Sequence, residues 1–188
     1  MLTNFILALS FKCMLNAVTY ASSIELDHSM QHHKTRPAST YHLNRYLQAL
    51  LKEGSPLDPR LLALSWMESR IRPNIKVGDR GRACGIYQIH ARYSYPYLRR
   101  KHGFNGWVES EQRRTISKEC SRLKNINYSV DSMRKLLKRM DAKNLHPCHH
   151  NSGFYGTCNP WYKKRLNYWI MYFSVQKALC SLPKGILK

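Results

Sequence analysis

A helical run of apolar residues that ends in one carboxylate constrains this chain more than any other feature. Residues 61–90 begin with leucines at helical spacing, and Glu68 follows Leu64 by one turn. Glu68 therefore shares the apolar face of the predicted helix. A carboxylate facing a core is costly unless paired or protonated, and burial raises its pKa, which suits a general acid. The alternative is a half-exposed glutamate at the helix end that pairs with Arg70 or Arg72.

Two later segments carry further candidate residues. Residues 74–83 hold too many glycines and charges for a regular element, while residues 85–90 predict a short strand or an extended turn with Gln88 as its one amide. The stretch 146–153 reads HPCHHNSG, and Pro147 is typical of the first position of a short helix.

Three motifs occur along the chain in a fixed order: Glu68-Ser69, then Gly85-Ile86-Tyr87-Gln88-Ile89, then Asn151-Ser152-Gly153. Together they resemble the soluble lytic transglycosylases, a family of peptidoglycan-cleaving enzymes, over roughly residues 43–168. The resemblance implies a lysozyme-like fold with Glu68 as the catalytic residue. It also implies a set of substrate-binding neighbours, namely Ser69, Tyr87, Gln88, His150, Asn151 and Tyr162.

The chain departs from the family pattern at two of these positions. Tyr87 stands where the family commonly has Met, and an aromatic ring there can stack on a sugar. His150 replaces a Tyr that hydrogen-bonds near the catalytic acid, and an imidazole adds a titratable group. Tyr162 matches a family Tyr that lies close to the carboxylate.

We expect a mainly α protein, a single lysozyme-like helical domain with a short irregular or β segment after the catalytic helix. The expected organisation is a signal peptide or retained N-terminal anchor (1–21), a flexible linker (22–40), the domain (41–182) and a tail (183–188).

Helical spacing places several elements inside the domain. One helix covers residues 41–53, and Asp58-Pro59 is the cap of the helix that carries Glu68. Residues 109–140 hold two amphipathic helices that meet near Asn125. A last helix, 161–180, is apolar around most of its circumference and is therefore expected to pack on both sides.

The charge balance points to an anionic partner. Lys and Arg number 31 against 11 Asp and Glu, a formal net charge of +20. Nothing matches a zinc-finger spacing or an RNA-recognition aromatic pair, so we favour the cell envelope over a specific nucleic acid. We expect an exported monomer in the periplasm or extracytoplasmic envelope that acts on peptidoglycan glycan strands. A phage, conjugation or secretion apparatus is a further possible partner.

The cysteines favour disulfide bonds. Of the six, Cys13 lies in the expected signal peptide, which leaves five. A bond between Cys148 and Cys158 would close the loop that bears His150 and Asn151. Cys84 and Cys120 form the second candidate pair, and Cys180 would be free.

Zinc is the competing interpretation of one cysteine pair. Cys148, His149, His150 and Cys158 can all bind metal, but adjacent histidines fit structural zinc spacing poorly. We therefore expect neither a metal nor an organic cofactor.

The scarcity of acids favours a mechanism with one carboxylate. Most glycosidases use two, about 5–5.5 Å or 6.5–9.5 Å apart, and Asp79 is the one nearby candidate besides Glu68. The family resemblance implies that Glu68 protonates the oxygen between N-acetylmuramic acid and N-acetylglucosamine, then takes the proton of the C6 hydroxyl that attacks C1. The rivals are a lysozyme that uses water and a basic envelope- or nucleic-acid-binding protein on an inactive scaffold.

Overall fold

Helices form most of the residues that the computed structural model describes. It describes residues 12–21, 38–51, 57–72, 82–94, 109–151 and 157–181, the side chains of Glu109 and Asn151 excepted. The elements are α1 (residues 12–21), α2 (Thr40–Leu51), α3 (Pro59–Ser69), β1 (Ala83–Cys84), β2 (Ile89–His90), a first 3-10 helix (Ala91–Tyr93), α4 (Glu109–Leu123), α5 (Ile126–Asp141), a second 3-10 helix (Pro147–Asn151) and α6 (Pro160–Ser181). The prediction of a mainly α fold with a short β segment after α3 is confirmed.

Two helix starts have side-chain caps, and the cap at Asp58 is the one that the sequence predicted. The Asp58 side chain accepts a hydrogen bond from the backbone N–H of Arg60 at 2.9 Å, and Pro59 begins α3. Asn125 caps α5 in the same way by accepting from the N–H of Tyr128 at 3.1 Å. Since each cap satisfies backbone donors that a helix leaves unpaired, these residues determine where α3 and α5 begin.

α3 is the central helix of the core. The Tyr46 hydroxyl of α2 donates to the Leu61 carbonyl at 2.9 Å, and the Trp66 ring lies 5.6 Å from that of Trp169 on α6. Most of the α3 side chains are buried, namely Leu61, Leu62, Ala63, Leu64, Ser65, Trp66 and Ser69. Burial of this apolar surface is what holds the helix and its terminal carboxylate in place.

α6 packs on one side. Leu166, Trp169 and Phe173 are buried, whereas Trp161 and Met171 are 60% and 61% exposed. The expectation that this helix packs on both sides is wrong. Its apolar residues cover most of the circumference, so the sequence pattern does not show which face meets α3.

α1 belongs to the core and is covalently tied to α6. Met14 and Val18 are buried, the Tyr172 hydroxyl of α6 donates to the Ala17 carbonyl at 2.9 Å, and Cys13 is bonded to Cys180. In the full chain Cys180 is therefore bonded, whereas the expectation of a free Cys180 assumed that Cys13 leaves with a signal peptide. Removal of residues 1–21 stays a prediction.

Two other disulfide bonds match the predicted pairs. Cys84 is bonded to Cys120, and Cys148 to Cys158. Among the helices that the structure describes, none has both the length and the apolar character needed to cross a bilayer. The linker at 22–37, the loop at 74–80 and the tail from residue 182 lie outside the described residues.

Candidate active site

Glu68 is the next-to-last residue of α3 and lies mostly within the protein. Its side chain is 17% exposed, and burial raises its pKa to about 7. The two arginines that follow it bind backbone carbonyls of α3: Arg70 donates to Trp66 at 2.6 Å and Arg72 to Ser69 at 3.2 Å. With a pKa of about 7, the Glu68 carboxyl group is partly protonated and partly ionised at neutral pH.

Tyr162, in the first turn of α6, is one partner of this carboxyl group. Its hydroxyl donates a hydrogen bond to Glu68 Oε1. The bond lowers the pKa of Glu68 and so opposes the larger effect of burial. Burial and the neighbouring carboxylate raise the pKa of Tyr162 well above its ordinary value. Tyr162 consequently remains a phenol and a hydrogen-bond donor at neutral pH.

His150, in the second 3-10 helix, is the other partner. Its Nε2 lies 3.5 Å from Glu68 Oε1, and its Nδ1 lies 3.2 Å from the carbonyl oxygen of Pro147. Burial lowers the pKa of His150 to about 4, so the ring is neutral at pH 7. Because a carbonyl can only accept, the ring proton is assigned to Nδ1, and the lone pair of Nε2 faces the carboxyl group.

A tight turn between β1 and β2 packs against the end of α4. Gly85 has a φ of +73°, and a Cβ atom there would lie 2.1 Å from the Leu123 carbonyl oxygen. Gln88, at φ +45°, donates from Nε2 to the Gly85 carbonyl at 2.9 Å. The Ser69 hydroxyl donates to the Ile86 carbonyl at 2.6 Å, which joins the turn to the end of α3.

The structure brings three of the predicted site residues together and places the others around them. Glu68, His150 and Tyr162 meet at one carboxylate oxygen. Tyr87 is buried with its hydroxyl 2.9 Å from that of Tyr46, so its ring belongs to the core. The backbone of Tyr87, the residue before Gln88, contacts the His150 ring.

The two remaining predicted residues have different surroundings. Ser69 is buried, with its hydroxyl bonded to backbone carbonyls. Asn151 ends the second 3-10 helix, and its side chain lies outside the described part of the chain. Substrate contacts of both residues stay predictions.

Other carboxylates of the described chain are engaged away from Glu68. Asp58 and Asp141 both bind Arg60, at 2.7 and 2.5 Å. Glu119 is buried and accepts from the Tyr128 hydroxyl at 3.0 Å. Asp79, the acid that the sequence places nearest, lies outside the described residues.

Backbone strain surrounds the site. Arg70 and Ile71, directly after Glu68-Ser69, have φ angles of 55° and 65°, and Gln88 has 45°. Left-handed geometry is rare for residues other than glycine, most of all for a β-branched one. Such strain collects at functional sites, where the surrounding structure enforces it.

Three donor atoms near the second 3-10 helix have the chemistry of metal ligands. Those of His146, Cys148 and Cys158 lie within 4.8 Å of one another. The two sulfurs are bonded to each other, and a disulfide is not the thiolate that zinc requires.

Two features of the site are absent from the sequence prediction. One is the Pro147 carbonyl, which selects the tautomer of His150. The other is the contact between the Tyr46 and Tyr87 hydroxyls. Only the first of these features has a signal in the sequence. A 3-10 helix that begins at Pro147 directs the Pro147 carbonyl toward the residue three positions later, which is His150.

The assembled site can give and take one proton. A carboxyl group with a pKa near neutrality accepts a hydrogen bond from Tyr162 at Oε1, and His150 Nε2 lies 3.5 Å from the same oxygen. Comparisons with protein-family models, with curated proteins and with solved structures give no match to this chain.

Proposed function

We propose that the protein is a lytic transglycosylase that cleaves peptidoglycan glycan strands with Glu68 as the single acid and base. The observation that carries this proposal is the burial of Glu68, which raises its pKa to about 7. An ordinary exposed glutamate is almost fully ionised at neutral pH and is a poor acid there. General acid–base catalysis is most efficient when the pKa lies near the working pH.

The proposed reaction begins with protonated Glu68. Its proton passes to the oxygen between N-acetylmuramic acid and N-acetylglucosamine as the bond from that oxygen to C1 breaks. The muramyl N-acetyl group stabilises the cationic centre at C1. The C6 hydroxyl of the same sugar then attacks C1, and its proton returns to Glu68. The product is a 1,6-anhydro sugar, no water is consumed, and Glu68 ends in its starting form.

An internal nucleophile suits a site with one acid. Well-oriented intramolecular reactions reach effective molarities of about 10⁵–10⁸ M, so no activated water is needed. The engagement of Asp58, Asp141 and Glu119 by other side chains supports this choice over a hydrolase with two carboxylates.

The two partners of Glu68 serve opposite protonation states in this mechanism. Tyr162 donates to Oε1, so it stabilises the carboxylate that exists after the first proton transfer. His150 Nε2 lies 3.5 Å from the same oxygen without a hydrogen-bond partner of its own among the described residues, so in this mechanism its lone pair becomes the acceptor for the protonated acid before that transfer. The imidazole thus takes over the hydrogen-bonding position that the resemblance gives to a tyrosine.

Charge and disulfide bonds support a site of action in the cell envelope. The chain carries a net charge of +20, which attracts it to anionic wall polymers. Three disulfide bonds are compatible with an exported protein. We propose local wall opening for a phage, conjugation or secretion apparatus as its biological role.

The mass of the products from purified peptidoglycan tests this function. We expect muropeptides that end in an anhydro sugar, one water lighter than the hydrolysed form, and no label from ¹⁸O water. Reducing ends that carry ¹⁸O would instead identify a hydrolytic lysozyme. Absence of any cleavage, together with tight salt-sensitive binding to nucleic acid, would identify a basic binding protein.

A further inference from the structure

The exposed large hydrophobic side chains of the described residues are concentrated on one side of the molecule. Seven such side chains are exposed, and Tyr41 on α2 is the one that lies apart. The other six lie on α1 or α6, namely Tyr20, Trp161, Tyr168, Met171, Val175 and Leu179. Single exposed apolar residues are ordinary, but a contiguous patch of them marks an interaction surface.

The five α6 residues, which we name the α6 stripe, follow the helix on one face. Trp161, Tyr168 and Val175 are seven residues apart and so almost in line. Met171 and Leu179 fall within a third of a turn of that line. The stripe runs along most of α6, on the side opposite its buried residues.

α1 extends the same surface. The Tyr172 hydroxyl binds the Ala17 carbonyl, so α1 lies beside α6. Burial raises the pKa of Tyr172, with smaller contributions from Tyr20 and Tyr168, because the three phenols lie close together. Tyr20, at 63% exposed, thus adds a further aromatic side chain at the edge of the stripe.

The charged residues of α6 are all positive. α6 contains Lys163, Lys164, Arg165 and Lys177 and no acidic residue. The Arg165 guanidinium lies 5.2 Å from the centre of the Trp161 ring. A second copy of this chain would bring like charges together, since each copy carries a net charge of +20. An anionic surface has the complementary charge.

We propose that the α6 stripe and α1 form a docking surface for an anionic lipid bilayer. Tryptophan and tyrosine sit favourably at a membrane interface, where the ring is buried and the polar end stays wet. Lysine and arginine beside them reach the headgroups while their stems cover apolar surface. The helix would lie in the interface plane, and the inference is independent of Glu68 and its chemistry.

The N-terminal sequence strengthens the choice of a bilayer. The Cys13–Cys180 bond holds the start of α1 next to Leu179, at one end of the stripe. The chain that leads into α1 contains the apolar run Phe5-Ile6-Leu7-Ala8-Leu9. In a chain that retains residues 1–21, two residues separate this apolar run from the first residue of α1.

Vesicle flotation with a matched pair of variants tests the proposal. The probes are vesicles of phosphatidylcholine with phosphatidylglycerol and vesicles of phosphatidylcholine alone. Met171→Asp and Tyr41→Asp introduce the same charge at positions that are 61% and 62% exposed, so they differ in location. We expect the full chain to bind the anionic vesicles, Met171→Asp to bind about tenfold more weakly, and Tyr41→Asp to bind within about twofold of the parent.

Three flotation results would overturn the proposal. The unmodified chain fails to float with anionic vesicles, or both variants lose binding equally, or Met171→Asp retains full binding. Sedimentation velocity separates a bilayer from a second copy of this chain as the occupant of the stripe. If the unmodified chain is a dimer and Met171→Asp is a monomer, the stripe is a dimer interface and the proposal is overturned. Unchanged circular dichroism and wall cleavage by Met171→Asp show that the variant is folded.

Discussion

The Tyr162 hydroxyl donates a hydrogen bond to Glu68 Oε1 across 94 residues of sequence. The bond joins the first turn of α6 to the last turn of α3. It opposes burial, because a donor favours the ionised carboxylate while burial favours the acid. The pKa of Glu68, about 7, is the balance of these two effects.

Removal of the donor shifts that balance. In Tyr162→Phe the pKa of Glu68 rises further, so the alkaline limb of the rate against pH moves to higher pH. Turnover at the optimum falls about tenfold or more, because a hydrogen bond to a charged group contributes roughly 1.5–3 kcal/mol. A pH–rate profile on purified peptidoglycan measures both the position of the alkaline limb and the turnover at the optimum. Tyr168→Phe, on the exposed face of α6, is the matched control, and an unmoved alkaline limb in Tyr162→Phe would contradict the assignment.

Burial of the same carboxyl group costs stability at high pH. A carboxyl group whose pKa rises from 4.5 unfolded to about 7 folded binds more protons in the native state, so its contribution falls between these two pH values. Glu68→Gln should therefore match the parent near pH 4 and exceed its unfolding free energy by about 3 kcal/mol above pH 7. Urea unfolding across this range measures the difference. Glu111→Gln, on the exposed face of α4, should show no such trend, and a pH-independent difference for Glu68→Gln would contradict the raised pKa.

Gly85 has no room for a side chain. Gly85→Ala would place Cβ 2.1 Å from the Leu123 carbonyl oxygen at a φ of +73°, so both the clash and the backbone conformation are unfavourable. We expect a loss of about 2–4 kcal/mol of unfolding free energy. Chemical denaturation measures it, with Ser121→Ala on the exposed face of α4 as the control. A loss under about 1 kcal/mol would show that the turn can move away from α4.

Much of the fold follows from local patterns. The capping residue Asp58 identified the start of α3, and the break between α4 and α5 falls at Asn125 as predicted. These signals are local, because a cap acts within one helical turn. The disulfide pairs Cys84–Cys120 and Cys148–Cys158 were also predicted, since each joins a segment of the site to its neighbour.

The packing of segments that are distant in sequence could not be predicted from local patterns. Helix α6 is apolar around its circumference, so its periodicity does not show that Tyr168 faces outward while Trp169 faces α3. The pairing of Cys13 with Cys180 depends on where α1 packs, 167 residues away. The ring nitrogen that His150 presents to Glu68 depends on where the second 3-10 helix packs, and the position of Pro147 in the sequence does not show that.

The Cys13–Cys180 bond closes the longest loop of the three disulfide bonds. In the chain-entropy view a loop of 167 residues stabilises by about 5 kcal/mol, against about 3 kcal/mol for the loop of 10 residues at Cys148–Cys158. Replacing both Cys13 and Cys180 by Ser should therefore lower the unfolding free energy more than replacing Cys148 and Cys158. Thermal unfolding of the two double variants measures this order. An unchanged stability of the full chain without Cys13 and Cys180 would contradict the bond.

Turnover of purified peptidoglycan by Glu68→Gln tests the central claim most directly. The amide keeps the shape of the side chain and its contact with Tyr162 but has no acidic proton to give. The account predicts a fall of at least about 100-fold with an unchanged circular dichroism spectrum, while Glu111→Gln keeps the parent rate. Cleavage by folded Glu68→Gln at more than about a tenth of the parent rate would contradict the assignment of Glu68 as the acid.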